Sequence, residues 1–341
     1  MKIAMTHVDL PNESRGGVAF QAHYLANTLV KRGHDVTMFT FSPPYEECHY
    51  KVHQYPIYSS LKKLRLQAFI FALQLANTDF SKFDIVHTHG DNYLLWRWHR
   101  QVRTFHGSAK DEAQSATRLR RRLYQTVMIP LEQLGTWTAK VNVGVSQTTK
   151  TRIPGISRII HCGVDITHFT PGKKNDRPAI LFVGTIGGRK RGSFLAEVFT
   201  QEVKPCFPDA ELWTVTEKPI EGEGIINFGK VSLDILCDLY RRAWVFCLPS
   251  TYEGFGVPYI EAMASGTPVV ATPNPGAREV LEEGKYGVIV KDNDLGQQIC
   301  CLLSDKNLRK AYVDRGLLRA QDYSWERVAK EYENLYTEFT L

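Results

Sequence analysis

The chain has 341 residues and a formal net charge of +6, with 43% hydrophobic and 23% charged residues. That length suits two domains of ordinary size, and the composition is that of a globular protein rather than a disordered or collagen-like chain. The longest apolar stretch, 66–75, is interrupted by Gln67 and Gln74, so no transmembrane segment is expected, and MKIAMTHVDL reads as a first strand rather than a signal peptide.

The predicted elements alternate from the start. KIAMTHV is a strand, 18–32 has helical periodicity, and HDVTMFTF is a second strand. FDIVHTH, VRTFHG and VNVGVS follow as short apolar runs bounded by polar or glycine positions. The polar, basic stretch 107–140 between the last two is read as mainly helical. After a joint containing proline and glycine at 164–177, the pattern restarts with strand AILFVGTI, helix 193–203, strand AELWTVTE and the short strand IINFGKV. LDILCDLYRRA is then a helix, WVFCLPS a strand, and TPVVAT a further strand. The final segment, 323–339, repeats Trp325, Val328, Tyr332, Leu335 and Tyr336 at helical spacing, the mark of a core-packing helix. Strands alternating with helices indicate doubly wound parallel sheets. The expected fold class is α/β with two Rossmann-like domains, 1–165 and 166–322, facing a cleft, with the helix 323–341 joined to the first.

The seven cysteines are scattered, with no C-x-x-C, and read as thiols of a reducing compartment. His87 and His89 alternate on a strand and lack further ligands, so a structural or substrate-contacting role is expected rather than a metal site. Charge is uneven. Residues 1–165 carry 21 Lys+Arg against 12 Asp+Glu, and the remainder 21 against 24. Basic residues gather at 95–103 and at Arg118, Arg120, Arg121 and Arg122, where RLRRRLYQTVMIPLEQL mixes arginines with apolar side chains as interfacial helices do. Two readings stay open there: contact with an anionic membrane surface, or a solvated helix with an inner apolar face. No recognised nucleic-acid motif accompanies the cluster, so no nucleic acid is expected as a partner.

The most informative run is PSTYEGFGVPYIEAMASGTPVVAT, 249–272. Glu253 and Glu261 stand eight positions apart, a little over two helical turns, and so fall on roughly one helical face. The helix should begin at 257–258, because proline is tolerated in a first turn. Tyr252 to Gly256 then precede it, at the end where backbone N–H groups and the helix dipole favour an anion. One carboxylate at the mouth and one deeper suit a ligand with a phosphate centre and polyols on both sides, as in a nucleotide sugar.

This run resembles the E-x7-E signature of family 4 retaining glycosyltransferases of GT-B fold, the glycogen synthase-like group. The context Pro-Ser-x-x-Glu-Gly-Phe-Gly, Glu-Ala-Met-Ala-x-Gly and Pro-Val-Val-Ala carries the likeness. The family pattern G-T-L-x-x-R-K is matched by Gly184, Thr185, Ile186, Arg189 and Lys190, just beyond a parallel strand. Thr185 stands where many members have arginine; Arg189 replaces that contact, with Arg191 as an assistant.

The resemblance implies that Arg189 and Lys190 clasp a diphosphate, that Glu253 bonds the donor sugar's hydroxyls and that Glu261 holds the ribose. It also implies that Gly254, Phe255 and Gly256 present backbone N–H groups and that the backbone at Val231 meets the base. In the family a glycine loop like Gly16–Gly17 lies over the diphosphate; from the two residues alone, a loop that merely turns the chain fits equally. His106, in T-x-H-G context, is implied near the donor sugar, and His89 on the acceptor side.

The expected activity is transfer of a hexose from a nucleotide-diphosphate sugar of UDP-glucose type to an acceptor hydroxyl, with retention and without a metal or other cofactor. The expected acceptor is a glycan or glycolipid in cell-surface polysaccharide assembly. The expected location is cytoplasmic, peripheral on the inner membrane face. The alternatives are a nucleotide-sugar epimerase of the same fold and a non-catalytic nucleic-acid-binding protein.

Overall fold

The computed structural model describes residues 1–11, 16–44, 47–57, 66–96, 100–116 and 119–340. The chain forms two compact units: one from Met1–Gln114, Arg118–Gly163 and Trp325–Leu341, the other from Ser115–Thr117 and Val164–Ser324.

The first unit is built on a parallel sheet of β1 (Lys2–Thr6), β2 (Asp35–Thr40), β3 (Lys51–Gln54), β4 (Ile85–Thr88), β5 (Gln101–Phe105), β6 (Val141–Gly144) and β7 (Arg158–Ile159). The order is β3-β2-β1-β4-β5-β6-β7. Period-two alternation splits its core between two faces. Ile3, Met5, Val36 and Met38 pack with Leu25 and Leu29 of helix Gly17–Lys31 and with Val328, Tyr332 and Tyr336 of helix Trp325–Thr340. Ala4, Phe39 and Val86 pack on the other face with Phe71 and Leu75 of helix Gln67–Ala76. The C-terminal helix is tied to this unit by polar contacts as well. Arg32 bonds Glu333 through both Nε and Nη2 at 2.7 Å, and the buried Tyr336 hydroxyl meets His87 Nδ1 at 2.6 Å.

The second unit repeats the plan with β8 (Ala179–Val183), β9 (Glu211–Val215), β10 (Ile225–Asn227), β11 (Val245–Leu248), β12 (Val269–Ala271) and β13 (Val288–Ile289), ordered β10-β9-β8-β11-β12-β13. The central strand β11 is buried along its whole length, as a parallel strand covered on both faces must be. In each sheet the order reverses once, between β1 and β4 and between β8 and β11. Open α/β sheets bind ligands beyond the carboxyl ends of their strands at such points.

Several elements differ from the sequence reading. The helix expected at 193–203 starts at Gly192 and continues through a π-turn, Phe199–Val203, to Cys206. The strand expected over 225–231 keeps only Ile225–Asn227, because Gly229 takes φ +70° and turns the chain. β3, β7, β13 and helix Gln67–Ala76 were not anticipated as elements. Among the described residues no helix is long and apolar enough to cross a membrane.

Candidate active site

In the second unit the two loops at the sheet's reversal point meet. After β8 the chain passes Gly184 to a short 3-10 turn, Gly188–Lys190; after β11 it passes Pro249 to Gly256 and enters helix Val257–Ala264. The loops are stitched together by backbone: Thr251 N–H donates to Arg189 C=O at 2.8 Å. Gly256 takes φ +105° at the helix N-cap, and a Cβ there would lie 2.4 Å from the Tyr259 ring. Only glycine fits that entry. Gly276 is equally confined, its missing Cβ directed at the Phe255 carbonyl oxygen 2.4 Å away. Phe255 itself is buried edge-on against Tyr323.

Glu253 is the hub. Arg189 Nη1 lies 2.8 Å from its Oε2 and also donates to Tyr252 C=O at 2.7 Å. Lys190 Nζ lies 3.7 Å from Oε1, to which Ser250 Oγ donates at 2.8 Å. Burial alone would raise this carboxyl; Lys190 and Arg189, with the Ser250 hydrogen bond, outweigh it and hold the group below its ordinary value. A carboxylate only 5% exposed is thus kept ionised beside two cations at the start of a helix.

Glu261 sits in the helix with a different balance. Burial raises its carboxyl to about 7, against a hydrogen bond from Tyr240 at 3.0 Å and the more remote charge of Lys190. The expectation of one carboxylate at the mouth and one deeper is therefore altered: Glu253 is the buried one, and Glu261 is half-buried. Lys190 packs its stem over Gly184, where a Cβ would meet Cδ at 2.6 Å. Arg191 turns away from this group. It bonds Asp292 through both Nη atoms at 2.6 and 2.7 Å and Pro249 C=O at 2.6 Å, so it braces the loop rather than assisting Arg189. Thr185 spends its hydroxyl on Gly187 C=O at 2.9 Å. Half-buried Val231 stands one residue before Ser232, whose hydroxyl caps helix Leu233–Arg242.

Gly16, Gly17, His89 and His106 belong to the first unit. Gly16 is the N-cap of helix Gly17–Lys31 in extended conformation, and open space surrounds the position of a Cβ at Gly17. His89 and His106 follow β4 and β5 and are joined, Nδ1 to Nε2, at 3.0 Å. They form one unit instead of two separate contacts. Burial, with the neighbouring histidines, holds His106 at about 3 and His89 well below its ordinary value, so both rings are neutral at pH 7. His106 Nε2 is thus engaged by His89. His87 lies below them, bonded to Tyr336 and Thr104, and is structural.

Arg120, Arg121 and Arg122 lie in helix Leu119–Thr138, and Arg121 pairs with Glu112 at 2.6 Å. Arg118 lies outside the described residues. Sequence reasoning missed three ionisable residues that line a cavity beyond β1, β4 and β5: Asp91, Arg103 and Glu132. The available signal was Gly90-Asp91 directly after a strand.

Both halves of the chain match known family models: "Glycosyltransferase Family 4" over residues 15–168 and "Glycosyl transferases group 1" over 177–305. An uncharacterized glycosyltransferase of Methanocaldococcus jannaschii is 26% identical over 98% of each chain. O-antigen chain mannosyltransferase B of Escherichia coli is 33% identical over 46% of this chain and 45% of its own length. Among solved structures, sucrose-phosphate synthase from Thermosynechococcus elongatus matches with TM-score 0.80 at 21% identity, over 99% of this chain and 98% of that one. Anabaena HepE in complex with UDP and glucose matches with TM-score 0.76 at 16% identity, over 99% of both.

The two parallel-sheet units and these matches define a glycosyltransferase of GT-B fold. The chain belongs to the family 4 type of those enzymes. The relatives named here are glycosyltransferases or a sucrose-phosphate synthase, and none is an epimerase or a nucleic-acid-binding protein.

Proposed function

We propose that this enzyme moves a hexose from a nucleotide-diphosphate sugar to an acceptor hydroxyl on a glycan or glycolipid, with retention at the anomeric carbon. The observation that carries the reading is the convergence of Arg189, Lys190 and the Glu253 turn at the N-terminus of helix Val257–Ala264. Within that first turn Pro258 carries no N–H and Tyr259 N–H donates to Gly256 C=O at 2.9 Å, so it is the helix dipole and the backbone just ahead of the helix that suit an anion. A departing nucleoside diphosphate gathers negative charge, and fixed donors aimed at it are usually the largest catalytic contribution.

In this reading Lys190 and the amides of Gly254, Phe255 and Gly256 take the diphosphate. Arg189 holds Glu253 and Tyr252 in place, Glu253 accepts from the sugar's hydroxyls, Glu261 accepts from the ribose, and backbone at Val231 meets the base. Gly16 and Gly17 allow close approach of backbone to the donor. His106, neutral, orients the sugar, with His89 behind it. The acceptor hydroxyl attacks on the face the diphosphate leaves, and the departing phosphate takes its proton. Positive side chains and amides supply the charge, so no metal or other cofactor is required. A UDP-linked glucose is the default donor; Anabaena HepE, similar in fold, is known in complex with UDP-glucose.

The test is a panel of nucleotide sugars with oligosaccharide acceptors, read by nucleotide release and by NMR of the product's anomeric proton. Release from one donor and a product of unchanged anomeric configuration support the reading. An inverted product ends the retention proposal, and an epimer formed without acceptor favours the epimerase alternative.

A further observation supports peripheral attachment to the cytoplasmic face of a membrane. In helix Leu119–Thr138, Leu119 (71% exposed), Leu123 (59%) and Val127 (55%) recur at i, i+4 and i+8, flanked by Arg120 and Arg122. Solvated apolar side chains beside arginines suit an anionic lipid surface. Co-sedimentation with vesicles containing phosphatidylglycerol, and not with neutral vesicles, is expected; equal behaviour with both refutes the attachment.

A further inference from the structure

Two helical segments of the second unit pack side by side behind the loop that carries Arg189 and Lys190. One begins at Gly192, directly after Arg191, and passes through the π-turn Phe199–Val203 to Cys206; the other is helix Leu295–Ser304, which follows the 3-10 turn Asp292–Asp294. The Arg191–Asp292 ion pair ties their near ends. Further along they approach closely, because Gly296 has no side chain: a Cβ there would lie 2.6 Å from Glu202 Cβ. About one turn on from Glu202 and from Gly296 stand Cys206 and Cys300.

All seven cysteines are free thiols; among the described residues Cys206 is the exposed one, and Cys300 is half-buried. Cys300 Sγ lies 3.8 Å from the carbonyl oxygen of Glu202, four residues before Cys206. A helical carbonyl points along the axis toward the residue four positions on, so the Cys300 sulfur reaches the turn that carries Cys206. The two thiols also act on each other. Burial first, and then Cys206, raises the Cys300 thiol to about 11, so Cys300 stays protonated at rest while Cys206 meets solvent. The adjacent Cys301 projects about 100° further round its helix and does not share that direction.

We infer that Cys206 and Cys300 are a modification site: hydrogen peroxide converts them to a reversible disulfide that clamps these two helical segments together. The Cys206 sulfur, as thiolate, attacks one oxygen of the peroxide; the O–O bond breaks, hydroxide leaves and takes up a proton, and a sulfenic acid forms. The Cys300 sulfur then displaces the sulfenic hydroxyl, which departs as water with the Cys300 thiol proton as the S–S bond forms. The thiol pair gives up two electrons and the peroxide accepts them. A dithiol reductant restores both thiols by exchange. The bridge joins residues far apart in sequence, so it removes much freedom from the unfolded chain. It needs neither donor nor acceptor, and so stands apart from the reaction proposed above.

The experiment treats the full chain with hydrogen peroxide in small molar excess, blocks the remaining thiols with N-ethylmaleimide in denaturant, and maps the peptides without reduction. We expect a Cys206–Cys300 linked peptide within one chain, lost after dithiothreitol. The oxidised chain should melt at least about 3 °C above the reduced one. Cys301→Ser should leave the linked peptide in place. Cys206→Ser should abolish it, and Cys300→Ser should hold Cys206 as a sulfenic acid that dimedone captures. Neither position is fully buried, so loss of fold is not expected, and circular dichroism checks this. A bridge through Cys301, bridges only between chains, no bridge at all, or a melting temperature unmoved by the bridge overturns the inference.

Discussion

The half-buried carboxyl of Glu261 makes a quantitative prediction about stability and pH. Its ordinary value is 4.5, and in the folded chain burial raises it to about 7. The sign follows from proton counts. Between those two pH values the folded state holds a proton that the unfolded state has released. Stability therefore falls as pH rises, with the full contribution present below the unfolded value and lost once pH passes the folded one. A separation of that size corresponds to about 3 kcal/mol, at 1.36 kcal/mol per pH unit. Glu261→Gln keeps an oxygen to accept from Tyr240 but cannot ionise. Urea unfolding followed by circular dichroism at pH 5 and pH 8.5 checks this. At pH 5 native chain and variant should be close; at pH 8.5 the variant should be the more stable by up to about 3 kcal/mol. A difference that is the same at both pH values, or a native chain that gains on the variant as pH rises, refutes the argument. Ligand binding extends the test: if ribose hydroxyls donate to Glu261 they favour its charged form, and UDP binding at pH 7 should release a proton that the Gln variant does not.

Other substitutions probe the framework. Arg189→Ala leaves the Glu253 carboxylate buried with one cation fewer and should cost roughly 3–5 kcal/mol in urea unfolding, as breaking a buried pair does. An unchanged midpoint would show that Arg189 is not the brace of this turn. Gly256→Ala forces a side chain into the left-handed region and against the Tyr259 ring, and thermal unfolding should report a loss of about 1–3 kcal/mol or more. In the first unit, hydrogen bonds from Arg32 and His34 hold Glu333 at about 2, so the anchorage of the C-terminal helix should be complete above pH 4.5 and be lost as pH falls from 4.5 to about 2. Hydrogen exchange in helix Trp325–Thr340 should show this loss in the native chain and its absence in Glu333→Gln.

Local signals were the legible ones. Glycines, a first-turn proline and a buried apolar strand bracket 249–272, and the helix starts at Val257 as that spacing requires. The alternation of strands and helices announces two parallel sheets, because each strand in such a sheet must be short, apolar and followed by a covering helix. What was not legible is non-local or conditional. β3 lies at the sheet edge with mostly exposed side chains, so KVHQ carries no apolar run to betray it. Arg191 sits in the same basic run as Arg189 and Lys190, and only the distant Asp292 decides that it braces a loop. Asp91, Arg103 and Glu132 come from separate elements and meet through sheet order, which no spacing along the chain reveals. The two carboxylates of the E-x7-E run look alike in sequence; two cations depress one and burial raises the other.

The central claim is that the loops after β8 and β11 bind one diphosphate, and hydrogen exchange on the full chain addresses it most directly. With saturating UDP or GDP, protection is expected in 184–192 and 252–259 together, and Lys190→Ala should lose it in both loops. Protection in one loop without the other, or in neither with any nucleoside diphosphate, contradicts the account.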